Sequence, residues 1–524
     1  MVIVVLLLAR QRTTVIAQGG LAGIVQEGVG MSAHRPDGIT AEDWAATPRS
    51  VRVLVGALQQ QVRLVQEHMT GLEQRVRVLE EQGRQTSRTS SKPPSSDPPS
   101  APPRPPRRPS GRATGGQPGP EGHGRVLLAA AQVDRIVEVR PMACGQCGAA
   151  LTGADAQPAR HQVAEVPRVA PEVTEYRQHT LPCGCCGART TAPWPQDMPR
   201  GGFGPRAQAT VAYLTGRQGL SQRDAQELLG ALCHLDLGRG SSAALERQVS
   251  AAVADPVAQA HAFVQAQPVA NVDETGWTEG TQRRWLWVAV TTLVSVFLVR
   301  ATRGSQGAKD LLGPTYPGVV GSDRWSGYTW IDVTQRQLCW AHLLRDFAAF
   351  VARGGASARL GRALLTAAEE MFGVWYRVRD GTLSRAAFQQ EMRPLHARIG
   401  RLLRAGTRRQ HAKTRYTCAN ILKVEDALWT FVTTEGVEPT NNAAERALRR
   451  AVLWRRRSFG TQSAAGSVFV AHLLTVVTTL RQQERDVLDY LTDACAAHLS
   501  GTPSPSLLPH VQPTTLNAPL PVAA

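Results

Sequence analysis

The sequence predicts a multidomain α/β protein of about three domains. With 524 residues the chain is far longer than one small domain, since roughly 150 residues per domain is usual. Its hydrophobic fraction of 42% lies close to the globular range of about 45–50%, so most of the chain is able to bury a core. In the second half, strand-like and helix-like apolar patterns occur together, which is typical of the α/β class. Wholesale disorder is therefore excluded.

The charge balance favours a polyanionic partner. Lys and Arg number 59 against 42 Asp and Glu, a net charge of +17, and Arg side chains match phosphate oxygens well. The absence of a window of about 18 apolar residues predicts no membrane span and no membrane partner. Residues 1–46 are expected to be a disordered leader or an over-extended start, because residues 1–9 are apolar but lack the basic flank of a secretory signal.

Residues 47–83 are predicted to form a coiled coil that joins two copies of the chain. A register kept over four heptads indicates a seam between helices, although one amphipathic helix on a globular core would give a similar pattern. The seam residues are Val51, Val55, Leu58, Val62, Val65, Met69, Leu72, Val76 and Leu79. Residues 84–125, rich in Pro, Ser and Gly, are predicted to be a linker.

Residues 126–200 are predicted to be a zinc-binding module. Cys144 and Cys147 form one Cys-x-x-Cys pair, Cys183 and Cys186 form a second, and a Gly follows each pair. Four thiolates with this spacing can surround one structural Zn²⁺ tetrahedrally, as in a zinc ribbon. Cys185 would then be spare. The alternative is a set of reduced cysteines without metal in a reducing cytoplasm.

The remaining segments are predicted to be a helical region and an α/β core. Residues 201–266 resemble a helix-turn-helix, although helical hairpins that only pack together are commoner. Residues 267–354 show the order strand, strand, strand, helix, strand, strand, helix, which matches a ribonuclease-H-like fold with a mixed sheet covered by helices. Residues 435–500 are predicted to complete this core. Residues 501–524 are predicted to be a disordered tail.

The long segment 355–434 is predicted to be an α-helical insertion into the core. Its pattern is helical and it carries several arginines. We expect this insertion to hold DNA over the catalytic site of the core. The alternative is that it only adds structure to the core and does not contact DNA.

Two carboxylates are expected at one edge of the sheet. Asp273 is predicted to close the first strand and Asp323 to close the fourth. If these two strands are neighbours, both side chains emerge at the same edge. Either Asp taken alone would more often be a turn residue or a helix cap.

Glu445 is the third candidate carboxylate. A structural role is a strong alternative, because Asn442 can be an N-cap and Glu445 its N3 partner in a capping box. Capping leaves the dense run of arginines unexplained, since these would repel one another unless solvent or phosphates neutralise them. The candidate DNA-binding arginines are Arg446, Arg449, Arg450, Arg455, Arg456 and Arg457.

Three carboxylates on a basic chain suggest divalent metal chemistry. Mg²⁺ (or Mn²⁺) prefers oxygen ligands and binds through a few carboxylates together with substrate phosphate oxygens. Two such ions about 3.5–4 Å apart can activate a water or a 3′-hydroxyl and stabilise the leaving oxygen of an in-line displacement. Phosphodiester cleavage and strand transfer then become one reaction with different nucleophiles.

In combination, these motifs resemble the transposases of the insertion-sequence-66 family, over about residues 45 to 495. The motifs are SSKPPSSDPP at 90–99, GGQPGPEGHGR at 115–125, the paired cysteines, VDETGW at 272–277, SDRWSGY at 322–328, CWAHLLRDF at 339–347 and NNAAERALR at 441–449. The resemblance implies an acidic-triad (DDE) enzyme with a ribonuclease-H-like catalytic domain. It further implies that Asp273, Asp323 and Glu445 are the metal-binding triad.

The resemblance also implies a Cys-x-x-His element, here Cys339 and His342. Two ligands alone make a poor zinc site, so we expect the pair to support the active site or contact DNA, with packing or capping as the alternative. The chain departs from the family pattern after the second Asp, where many members have Gly and this one has Arg324 and Trp325. This departure is expected to alter DNA approach and to leave metal binding intact.

The predicted function is that of a DNA transposase that binds the ends of its own element, cleaves them with Mg²⁺ and joins the 3′-hydroxyls to target DNA. Handling two ends together requires a dimer or a larger assembly, and accessory proteins of the same element are further candidate partners. The expected location is the bacterial cytoplasm, at the nucleoid. The alternatives are a non-catalytic zinc-containing DNA-binding protein derived from a transposase and a metal-dependent nuclease without joining activity.

Overall fold

The computed structural model describes residues 35–36, 38–83, 126–199 and 201–509. These fall into two units, one with the described residues up to 83 and one with those from 126 onward. The predicted linker, most of the predicted leader and the end of the predicted tail lie outside the described residues.

The N-terminal unit contains two helices. Helix α1 spans Ala41–Ala46 at the end of the predicted leader, and the hydroxyl of Thr40 caps it. Helix α2 spans Arg49–Gly83 without a break, in the segment predicted to form a coiled coil. Its seam is largely uncovered within the described part of this unit, since Val51 is 44% exposed and Val65 is 58% exposed. Pairing of α2 with a second copy stays a prediction.

The second unit begins with a small hairpin and a group of helices. Strands β1 (Thr180–Pro182) and β2 (Arg189–Thr191) pair antiparallel. The four helices that follow are α3 (Pro205–Ala212), α4 (Gln222–Cys233), α5 (Arg239–Ala252) and α6 (Ala254–Gln265). Between α3 and α4 the predicted turn is formed, with Gly219 at φ +71° and Ser221 as the N-cap of α4.

A five-stranded mixed sheet lies at the centre of the described residues of this unit. Its strands are β3 (Val269–Glu279), β4 (Gln282–Val290), β5 (Ser295–Arg300), β6 (Val319–Ser322) and β7 (Arg336–Leu338). They lie in the order β5-β4-β3-β6-β7. Neighbours among β3, β4 and β5 are antiparallel, whereas β3 and β6, and β6 and β7, are parallel. The first and fourth strands are neighbours, which was the condition for Asp273 and Asp323 to emerge at one edge.

The first strand of this sheet is longer than predicted. Asp273 does not close it, because β4 pairs with β3 as far as Glu279, so that prediction is wrong. Parallel pairing of β3 with β6 stops at Asn271 and Gly321. Asp273 therefore lies within β3, two residues beyond this last pair, and Asp323 stands at the equivalent place just after β6.

Helices cover both faces of the sheet. They are α7 (Ser305–Leu312), α8 (Trp340–Ala352), α9 (Gly355–Arg379), α10 (Arg385–Gly406), α11 (Ala412–Leu422), α12 (Thr430–Thr433), α13 (Asn442–Ser458), α14 (Ala464–Gln482) and α15 (Val487–Ser500). On one face Trp277 and Val288 pack with Leu448 of α13. Helices α9–α12 form the predicted insertion and share a separate core around Phe388 and Phe431.

Helix α14 is long and apolar enough to cross a membrane by length and composition, with a mean hydropathy of 1.4. However, 61% of its apolar window is buried inside the protein. The hydroxyls of Thr475 and Thr479 accept hydrogen bonds from the N–H groups of Phe297 and Ser295 in the edge strand β5. Helix α14 therefore belongs to the protein core.

The first part of the predicted tail is folded. Leu507 is fully buried, the Tyr490 hydroxyl donates to the carbonyl of Pro505 at 2.8 Å, and the Ser504 hydroxyl donates to the carbonyl of Ala252 at 2.7 Å. The prediction of disorder from residue 501 is thus wrong for residues 501–509, because Tyr490 of α15 binds the backbone of this segment and the Ser504 side chain binds the end of α5.

Candidate active site

The predicted carboxylates approach one another where β3 and β6 stop pairing. The Asp273 carboxylate accepts the N–H of Glu274 at 2.9 Å, and Oδ1 of Asp323 accepts the N–H of Trp325 at 2.9 Å. Burial, together with the charges of Glu274, Asp323 and Glu445, raises the pKa of Asp273 well above its ordinary value. Such mutual repulsion of carboxylates is what a bound divalent cation relieves.

The start of α13 positions Glu445. Asn441 is the N-cap and is buried, and its side-chain amide donates to the carbonyl of Val272 at 2.9 Å. Its backbone N–H donates to the sulfur of Cys339 at 3.2 Å. The capping box that was the alternative role of Glu445 is not formed, because the helix already includes Asn442 and no side chain caps it. The carboxylate of Glu445 is therefore available for other contacts.

The Glu445 carboxylate is turned toward α8. Its Oε1 lies 3.6 Å from Nδ1 of His342 and 3.6 Å from Nη2 of Arg345. Among the described residues, Cys339, His342 and Glu445 form the group whose ligand atoms all lie within 4.8 Å of one another. The three predicted triad carboxylates do not meet that distance, although the charge of Glu445 reaches Asp273.

The Cys-x-x-His pair lies against Glu445, and burial shifts the pKa of both of its members. Burial raises the pKa of the Cys339 thiol to about 11. Burial, and then the charges of Arg345 and Arg324, lowers the pKa of His342 to about 3. Nδ1 of His342 is buried without a hydrogen-bond partner.

A further buried carboxylate, Glu274, lies next to the triad, and sequence reasoning missed it. Because side chains alternate along a strand, Glu274 faces away from Asp273. Its side chain is 1% exposed and accepts hydrogen bonds from Nε of Arg303 at 2.8 Å and from the hydroxyl of Tyr328. The Arg303 guanidinium in turn lies 4.1 Å from the ring centroid of Trp325. Only the presence of a second acid beside Asp273 in the sequence hinted at this network.

The loop after Asp323 is fixed by residues where the chain departs from the family pattern. Arg324 forms an ion pair with Asp346 of α8, and Trp325 donates its N–H to Asp323 while its ring covers Arg303. The buried Arg336, which no sequence pattern indicated, donates to the carbonyl of Asp323 at 3.4 Å.

The stretch that contains these residues matches a known family. A family model described as "Transposase IS66 family" matches residues 200–468, just over half of the chain. This chain belongs to the IS66 transposase family. Residues 46–126 match a family of unknown function, DUF6444. The chain is also similar to an uncharacterized protein, y4hP, of Sinorhizobium fredii, with 26% identity over 406 residues that cover 69% of this chain and 72% of y4hP.

The arginines of α13 in this IS66 family member fall into two groups, those that bond to the rest of the protein and those that are exposed to solvent. Arg455 donates to the hydroxyl of Thr275 at 3.1 Å and to the carbonyl of Gly276, and Arg450 donates to the carbonyl of Arg217. These two arginines hold α13 to the rest of the protein. The exposed members are Arg446, Arg449, Arg456 and Arg457.

The two Cys-x-x-Cys turns have the same local geometry. The N–H of Gly148 donates to the carbonyl of Cys144, and the N–H of Gly187 donates to that of Cys183, both at 2.9 Å. Both glycines have positive φ, +77° and +70°, as a tight turn requires. Hydrogen bonds from backbone N–H groups within each turn lower the pKa values of Cys144 and Cys183.

Each turn therefore fits half of a zinc site. Among the described residues, the sulfur atoms of the two turns do not form a group of three or more within 4.8 Å. Zinc binding stays a prediction, which concerns Cys144, Cys147, Cys183 and Cys186. Cys185 lies exposed in the second turn.

Proposed function

We propose that this chain is a DDE transposase in which Asp273, Asp323 and Glu445 hold Mg²⁺ (or Mn²⁺) for DNA cleavage and strand transfer. The observation that carries this proposal is the position of Asp273 and Asp323, each two residues beyond the last parallel pair of β3 and β6. The strand order β5-β4-β3-β6-β7 supports a ribonuclease-H-like core, and family membership supports transposition.

The donor set fits a hard divalent cation. All three proposed ligands offer carboxylate oxygens. Burial and then the charges of neighbouring carboxylates raise the pKa of Asp273, and such a cation would offset that repulsion. Bound Mg²⁺ would supply activation of the attacking hydroxyl and stabilisation of the leaving oxygen. Asp323 is held in place by the N–H of Trp325 and by Arg336 beneath its backbone. Glu445 would complete the site by turning from α8 toward the sheet.

The outward arginines supply a surface for the DNA backbone. They lie on α13, the same helix that carries Glu445, so a DNA backbone that follows this helix would pass the carboxylates at its Arg446 and Arg449 end. We propose that the coiled coil brings two copies together on two transposon ends, and that the zinc-bound module assists DNA binding.

Incubation of the purified full chain with DNA that carries the inverted repeats flanking its gene, with Mg²⁺ or with EDTA, tests the proposal. We expect Mg²⁺-dependent cuts at the ends and products in which those ends are joined to target DNA. Cuts without joined products would identify a nuclease that lacks joining activity. Specific end binding without any cut would overturn the enzymatic proposal and favour a non-catalytic DNA-binding protein.

A further inference from the structure

We propose that Cys339, His342 and Glu445 form a second metal site, for a zinc-class divalent cation, and that occupation of this site withdraws Glu445 from the carboxylate triad. The existence of the site rests on the geometry of these three residues. Its effect on the reaction rests on the proposed function. The Cys-x-x-His motif supplies two of the ligands. The fold brings Glu445 of α13 beside them as the third.

The distances suit a tetrahedral ion with little rearrangement. The three ligand atoms lie within 4.8 Å of one another, and Nδ1 of His342 is 3.6 Å from Oε1 of Glu445. Around a tetrahedral Zn²⁺ with the usual bond lengths, neighbouring ligand atoms are about 3.3–3.6 Å apart. The ligand atoms therefore need to approach one another by at most about 1.5 Å to reach this spacing.

Cys339 is placed so that a bound metal ion could hold its sulfur as a thiolate. Cys339 is the N-cap of α8, and its sulfur accepts a hydrogen bond from the backbone N–H of Asn441 at 3.2 Å. Such a donor, at the positive end of a helix, stabilises negative charge on sulfur. When the ion binds, the thiol proton is released to solvent and a sulfur–metal bond forms.

His342 lacks a partner that a metal ion would provide. Its Nδ1 is buried and makes no hydrogen bond within the described residues, although it faces Glu445. A buried polar nitrogen without a partner is uncommon in folded proteins. Coordination would satisfy this nitrogen, and the paired negative charges of Cys339 and Glu445 would neutralise the ion.

The ligand types distinguish this site from the triad. A thiolate and an imidazole select zinc-class ions, whereas Mg²⁺ prefers carboxylates and water. Three protein ligands leave a fourth position open. Because Glu445 belongs to both sets of residues, the two sites compete for its carboxylate, and Zn²⁺ is expected to inhibit the Mg²⁺-dependent reaction.

Cobalt absorption on the full chain tests the site itself. Co²⁺ bound to a thiolate gives a charge-transfer absorption band whose intensity grows with the number of bound sulfur atoms. Cys339→Ser should lower this intensity by the contribution of one sulfur, and the contribution of the two Cys-x-x-Cys turns should remain. Cys418→Ser, which changes another buried cysteine, should leave the spectrum intact. Glu445→Gln should weaken Co²⁺ binding at this site by about tenfold or more. Unchanged spectra and affinity in both Cys339→Ser and Glu445→Gln would overturn the proposal.

Inhibition of end cleavage by Zn²⁺ at constant Mg²⁺ tests whether the two metal sites compete for Glu445. The cleavage rate of each protein is expressed relative to its own rate without Zn²⁺. Wild type should be inhibited at a Zn²⁺ concentration about tenfold or more below that needed for Cys339→Ser. Equal sensitivity would overturn the competition. If wild type cleaves no DNA at all, the proposed function fails, while the cobalt spectra still decide whether the metal site exists. Where Cys339→Ser does not fold, His342→Gln serves in both measurements.

Discussion

The side-chain amide of Asn441 donates a hydrogen bond to the carbonyl of Val272 at 2.9 Å, and this bond joins the start of α13 to β3 one residue before Asp273. The N–H of Asn441 also reaches the sulfur of Cys339. The helix that carries Glu445 is therefore fixed against both the sheet and α8. The position of Glu445 relative to Asp273 depends on this junction.

Loss of this junction should reduce stability and activity together. Asn441→Ala removes a buried hydrogen bond and leaves the Val272 carbonyl unsatisfied, so we expect the free energy of unfolding to fall by about 1–3 kcal/mol. End cleavage should slow because Glu445 is less well held. Thermal unfolding and cleavage rates measure both effects, with the exposed Asn420→Ala as the control. An Asn441→Ala protein as stable and active as wild type would contradict this role.

The arginines of α13 should separate into two classes on substitution. Arg457→Ala is expected to lower the salt dependence of DNA binding by about 0.9 in slope, because one phosphate contact is lost, and to leave the melting temperature unchanged. Arg455→Ala is expected to lower the melting temperature, because Arg455 bonds to β3. Binding titrations at several salt concentrations and calorimetry measure the two effects. If both variants changed the salt dependence of DNA binding and the melting temperature alike, the division of these arginines into two classes would be contradicted.

Much of the fold could be predicted because its determinants are local. The spacing of apolar residues predicts the alternation of strands and helices. The neighbouring positions of Asp273 and Asp323 follow once the first and fourth strands pair. The end of β3 could not be read locally, because its continuation to Glu279 depends on pairing with β4. The N-cap was misplaced by one residue, since Asn441 and Asn442 are adjacent and only the contact with Val272 distinguishes them.

The surroundings of the site depend on tertiary contacts that no local pattern contains. Glu274 finds its partners at Arg303 and Tyr328, far along the chain. In the same way Glu445 comes to lie beside His342 only because α13 docks on α8. Sequence motifs marked most of these residues as notable but not which residues they contact.

The coiled coil is tested by sedimentation of the full chain. Charges placed on the seam of α2 should convert the expected dimer into a monomer, because buried aspartates in a helix pair would repel one another. The seam variant is Leu58→Asp with Val65→Asp and Leu72→Asp. The control places the same charges on the outer face of the helix, in Gln60→Asp with Thr70→Asp and Gln74→Asp. An unchanged mass for the seam variant would contradict self-association through α2.

Zinc content should depend on the paired cysteines and not on the spare one. Replacement of Cys144 and Cys147 by Ser should remove about one equivalent of zinc, since two of four ligands are lost. Cys185→Ser, in the second turn, should retain it. Metal analysis of the purified proteins gives the result, and the zinc prediction fails if the double variant holds as much zinc as wild type, whatever ion the second site retains.

Cleavage of end-containing DNA by three isosteric variants tests the central claim most directly. Asp273→Asn, Asp323→Asn and Glu445→Gln should each reduce the rate by about 1,000-fold or more, because metal ligation contributes several kcal/mol to such reactions. Glu435→Gln, at an exposed acid, is the control, and all four proteins should bind DNA and unfold cooperatively. A wild-type cleavage rate in any one of the three triad variants would contradict the shared carboxylate site.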